Sequence, residues 1–81
     1  MARVRLFAAL REIAGAARLE VDGATVDEVV EALTEKFGPK FGEIARAGSA
    51  VVEGERSSFD RRLDETEEVV LLPPVSGGAG G

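Results

Sequence analysis

The sequence predicts an α+β domain in which one long helix packs across one face of a mixed sheet, and three observations carry that prediction. Val26, Val29, Val30, Leu33 and Phe37 recur at helical spacing with Asp27, Glu28, Glu31, Glu35 and Lys36 between them. Residues 3–8 and 18–21 alternate as strands do, and residues 69–72 form an unbroken apolar run. At 81 residues the chain makes one domain and is too short to enclose a large catalytic cavity.

In the first strand Val4, Leu6 and Ala8 point one way and Arg3, Arg5 and Phe7 the other, so Phe7 is an apolar residue on a polar face. Residues 10–14 read as a short helical turn stopped at Gly15. Arg18-Leu19-Glu20-Val21 then forms a second strand, antiparallel to the first, that ends at Asp22-Gly23. Thr25 followed by Glu28 fits a capping box, in which the hydroxyl accepts an unpaired backbone N–H and the carboxylate returns the bond. Gly38-Pro39 stops the helix, because proline cannot continue the hydrogen-bond ladder.

Phe41, Ile44 and Ala45 indicate a further short helical segment within residues 39–46, and Ala50-Val51-Val52 a third strand. Ser58-Phe59-Asp60 with Leu63 is expected to be a short edge strand or loop in which Phe59 plugs the core. Residues 64–68 form an acidic turn, read as a solvated hairpin connection because a hard cation needs oxygens converging from more than one turn. The run at 69–72 is expected to be buried on both faces and is closed by Pro73-Pro74. One long helix covers only one face of a sheet, which leaves Phe7 and part of the last strand as a partner surface. The alternative is that the segments at 10–14 and 39–46 cover that second face.

The chain has no cysteine and no histidine, which removes the nucleophilic thiol, the acid/base group that titrates near neutrality and the commonest zinc ligands. No independent active site, bound cofactor or metal is expected. A formal charge of −5 disfavours nucleic acid and favours a basic protein partner. Arg11 and Glu12 interrupt the apolar stretch near the N-terminus, so neither a signal peptide nor a membrane span is expected, and the reading is cytoplasmic.

The division expected is a folded domain over residues 1–75 and a flexible glycine-rich tail over residues 76–81. The ending Val75-Ser76-Gly77-Gly78-Ala79-Gly80-Gly81 offers almost nothing to bury, and glycine gives up the most conformational entropy on ordering. Such a strand can thread a narrow channel and leaves its terminal carboxylate open to attack. A carboxylate becomes an acyl donor once adenylation with ATP gives it a leaving group, and all of that apparatus can sit on a partner enzyme.

The opening Val4-Arg5-Leu6-Phe7-Ala8-Ala9-Leu10-Arg11-Glu12-Ile13-Ala14-Gly15, the helix from Thr25, the Ser58-Phe59-Asp60 block and the ending Leu71-Leu72-Pro73-Pro74-Val75-Ser76-Gly77-Gly78 resemble the MoaD family. These are the small subunits of molybdopterin synthase, related to the thiamin sulfur carrier ThiS and, in fold, to ubiquitin. The resemblance implies a β-grasp (ubiquitin-like) fold and a cycle on the terminal glycine. An E1-like, MoeB-type enzyme adenylates it with ATP, and a persulfide donor converts it to a thiocarboxylate. The tail then enters a large MoaE-type subunit, in an expected heterotetramer, and gives its sulfur to precursor Z. On this resemblance Gly81 carries the reacting carboxylate beside Gly80, Gly77 and Gly78 belong to the threading tail, and Phe7, Leu72, Pro73, Pro74 and Val75 form the partner interface.

The chain departs from that family in continuing past Gly77-Gly78 with Ala79-Gly80-Gly81, which adds about 10 Å of reach. Because the extension ends Gly-Gly again, Gly81 is favoured as the working terminus over a Gly78 exposed by a peptidase. Other acceptors remain open at this level: thiamin thiazole, cysteine, tungsten cofactor or a tRNA base. So does a ubiquitin-like modifier whose activated Gly81 is captured by a lysine.

Overall fold

The structure, a computed structural model, describes residues 1–74. Along the chain run β1 (Ala2–Leu6), α1 (Ala8–Ala14), β2 (Arg18–Val21), α2 (Val26–Phe37), α3 (Pro39–Ala47), β3 (Ser49–Val52), β4 (Glu55–Ser57) and β5 (Glu68–Leu72). The strands form one sheet in the order β2-β1-β5-β3-β4, with β5 parallel to β1 and every other pair antiparallel.

Alternation fixes which face is inside. Val4 and Leu6 of β1 stand in register with Val69 and Leu71 of β5, and those with Val52 and Ala50 of β3. All are buried, and they meet Val26, Val29, Val30 and Leu33 of α2 in one cluster. Leu10 of α1 and Phe41 and Ala45 of α3 join the same cluster, so all three helices lie on this face. The expectation of one long helix is therefore incomplete, and the short segments do not cover the outer face. Their apolar residues are few, and the core claims them.

The expectation that β5 is buried on both faces is also corrected. Val69 and Leu71 are buried, whereas Val70 and Leu72 on the outer face are only half-buried. The edge strand lies earlier than the sequence suggested, at Glu55–Ser57, where it pairs with β3 across a two-residue turn. Glu53 and Gly54 in that turn both have positive φ, 54° and 79°, the twist that suits a tight hairpin. Phe59, in the loop that follows, does pack against the core, as predicted.

That loop also completes the start of α2. The Thr25 hydroxyl accepts from the Glu28 N–H at 3.1 Å, while the Glu28 carboxylate accepts from Ala24 at 2.8 Å, one residue before the usual capping-box position. The N–H groups of Val26 and Asp27, unpaired within the helix, donate to the carbonyls of Arg61 at 3.0 Å and Phe59 at 2.7 Å. Pro39 begins α3 directly after Gly38 closes α2. No helix among the described residues is long and apolar enough to cross a membrane.

Candidate functional site

The parallel pairing of β5 with β1 decides where the C-terminal segment leaves the domain. Leu71 stands opposite Leu6, so the next residues, Leu72 and Phe7, emerge at the same end of the sheet, and Leu72 also pairs with Ser49. Phe7 is extended and 38% exposed, and Ala8 takes a left-handed φ of 53° that turns the chain into α1 immediately after it. Pro73 is half-buried and Pro74 exposed. Phe7, Leu72, Pro73 and Pro74 are thus placed at one end of the sheet, while Val75, Gly77, Gly78, Gly80 and Gly81 lie outside the described residues.

Sequence reasoning missed one residue at this exit. A Cβ on Gly48 would fall 1.9 Å from the Leu72 carbonyl oxygen and 2.9 Å from the carbonyl carbon of Pro73. Glycine here lets the start of β3 close against the last residues of β5. Its only signal in the sequence is its place between α3 and a strand, which any turn glycine shares.

The segment that feeds β5 is clipped by a bidentate ion pair. Arg61 donates Nη1 and Nη2 to the two oxygens of Glu67 at 3.0 and 3.1 Å, and the same carboxylate accepts from the Asp64 N–H at 2.9 Å. The Arg61 hydrogen bond, and after it the Asp64 N–H, hold the Glu67 carboxyl below its ordinary value of 4.5. The acidic turn is therefore an internal clamp.

An open groove of about 470 Å³ lies between α2 and α3 and includes Glu31, Thr34, Glu35 and Gly42 in its walls. Neither Phe7 nor any residue of β5 lines it.

A sequence model of the ThiS family matches residues 4–78. The chain belongs to the ThiS family. Solved structures agree with that membership of the MoaD/ThiS group. The small archaeal modifier protein SAMP1 from Methanosarcina acetivorans is 26% identical with a TM-score of 0.81, covering 99% of this chain and 95% of its own. SAMP1 from Haloferax volcanii is 30% identical with a TM-score of 0.67, at 93% and 100% coverage. A Pyrococcus furiosus protein assigned as molybdopterin converting factor subunit 1 is 27% identical with a TM-score of 0.75, at 91% and 97% coverage. No curated protein sequence matches the chain. This ThiS-family chain has the ubiquitin-like β-grasp fold and is a sulfur carrier of the ThiS/MoaD type or a ubiquitin-like modifier.

Proposed function

We propose that this chain is the sulfur-carrying small subunit of a molybdopterin synthase. The observation that carries the reading is the exit geometry: central β5 delivers Leu72-Pro73-Pro74 beside exposed Phe7, and the sequence continues through Val75-Ser76 into Gly77-Gly78 and Gly80-Gly81. The motif resemblance to MoaD and the likeness to the converting-factor subunit from Pyrococcus furiosus support it.

In this reading a MoeB-type enzyme binds the outer sheet face and takes the tail into its nucleotide site. The Gly81 carboxylate attacks the α-phosphorus of ATP and pyrophosphate leaves; the outer sulfur of a persulfide donor then displaces AMP from the acyl carbon, and a second thiol on the partner attacks the donor sulfur of the acyl disulfide so formed, leaving a disulfide behind and freeing the thiocarboxylate. The large MoaE-type subunit then seats the same face, with Phe7, Leu72, Pro73 and Pro74, while the thiocarboxylate reaches precursor Z. The carrier itself supplies reach and an unhindered acyl carbon.

The likeness to SAMP1 from two archaea favours a second reading, a modifier whose activated terminus is captured by a lysine amine. Intact-mass analysis of the chain isolated from cells decides between them. Replacement of one terminal oxygen by sulfur supports the carrier. Branched peptides bearing the C-terminal residues on lysine, with no thiocarboxylate, would overturn it in favour of the modifier.

A further inference from the structure

A row of side chains crosses the whole outer face. Arg18 of β2, Arg5 of β1, Val70 of β5, Val51 of β3 and Arg56 of β4 are successive register partners, so three arginines flank two half-buried valines. No carboxylate stands in this row; the nearest on the face, Glu20 and Glu68, flank Arg3 toward the start of β1. Among the described residues the salt bridges involve Arg46 and Arg61, and none involves these three arginines.

Strand pairing gives no reason for placing two of these charges together. Arg5 and Arg18 stand directly opposite one another, and like charges so placed weaken strand pairing. The Arg5 guanidinium lies 5.5 Å from the centroid of the Phe7 ring, and Arg56 donates to the Ser49 hydroxyl at 3.0 Å. Both cations are thereby drawn toward the end where Phe7 and Leu72 emerge. Carboxylates collect instead on the helical side, where Glu31, Glu35 and Glu43 line the groove between α2 and α3.

We propose that the outer sheet face docks an acidic protein surface, whose carboxylates meet Arg5, Arg18 and Arg56 around a small apolar centre seated on Val51 and Val70. This rests on the reading of that face as the docking surface, and it reverses the sign that the net charge suggested. Salt screens charges beyond about 8–10 Å, so a partner touching the sheet meets the arginines and little of the field from the helical side. Guanidinium forks pair bidentately with carboxylates, which adds orientation to attraction. Phosphates would also attract arginine, but the two valines beside Phe7 and Leu72 suit a desolvated protein contact.

The test follows chain-dependent ATP–pyrophosphate exchange by a MoeB-type activating enzyme at low and high salt. The triple variant Arg5→Gln, Arg18→Gln, Arg56→Gln should lower kcat/KM about tenfold or more at low salt, through KM, and should lose most of the salt dependence of the parent. Glu35→Gln with Glu43→Gln should change neither. Circular dichroism verifies that the variants are folded. An unchanged kcat/KM and salt dependence in the triple variant would overturn the acidic partner while leaving the carrier intact. If the parent supports no exchange, the carrier reading fails instead, and titration of the isotope-labelled chain with poly-glutamate decides the surface by itself. Resonance shifts at residues 5, 18, 51, 56 and 70 that vanish in the triple variant support the proposal. No shift there, or tighter binding of an oligothymidylate at the same residues, overturns it.

Discussion

Gly48 packs so closely under Leu72 that a side-chain carbon on it would lie 1.9 Å from the Leu72 carbonyl oxygen. The contact joins the start of β3 to the residue at which the chain leaves the sheet. Gly48→Ala must push β3 and β5 apart at this end, and overpacking of this kind costs about 1–3 kcal/mol. Urea unfolding should show the loss, and amide exchange should quicken at Ser49 and Leu72 before it does at Val69. A variant as stable as the parent, with unchanged exchange, would show that this end of the sheet gives way freely.

Phe7 and Leu72 are expected to separate binding from folding. Both lie on the face that no helix covers, so Phe7→Arg or Leu72→Arg should weaken capture by a MoaE-type large subunit by about 2 kcal/mol or more with little change in stability. Leu33, fully buried on α2, gives the contrast: Leu33→Ala should cost about 2–5 kcal/mol of folding stability by leaving a cavity. Calorimetric binding and thermal melts on the three variants make the comparison. Equal unfolding from all three would sink the assignment of the outer face as an interface.

Glu67 sets a pH dependence whose sign follows from its environment. Its carboxyl is held below 4.5 in the folded chain, chiefly by the Arg61 hydrogen bond, so the folded state binds this proton less readily than the unfolded state does. The stabilisation is fully present above that ordinary value and is lost as pH falls through the lower, folded value. Glu67→Gln should therefore lower the melting temperature at neutral pH and lessen its fall in acid. Parallel melting curves for parent and variant across the acid range would remove Glu67 from the account.

The parts of this fold that were legible in the sequence are those where a repeated chemical pattern outweighs context. The stripe from Val26 to Phe37, its Thr25 cap and its Gly38-Pro39 stop are written in consecutive residues, and the observed α2 has those limits. The edge strand is different: Glu55, Arg56 and Ser57 carry no apolar alternation, and pairing with β3 makes them a strand. The apolar run from Val69 to Leu72 predicts burial on both faces, since such a run does not reveal which face its helices cover, and Val70 and Leu72 are half-buried instead. Gly48 and the arginine row depend on residues distant in sequence meeting across β5, which no local pattern encodes.

Among the described residues the core is assembled between Ala2 and Leu71, and deleting Gly81 or converting its carboxylate to an amide should leave the melting temperature unchanged. Either change should abolish sulfur loading by an activating enzyme, since an amide presents no oxygen anion to attack ATP and a shortened chain ends one residue early in the nucleotide site. Removing Ala79 to Gly81 to leave Gly78 terminal is the companion variant; retained loading there would make Gly78 the working terminus. The chain alone, mixed with ATP, should release no pyrophosphate, because it has neither a thiol nor an imidazole and no strand-to-helix phosphate loop. Pyrophosphate should appear only when the activating enzyme is added. Loading of the amidated chain would show that the acyl-adenylate does not form on Gly81.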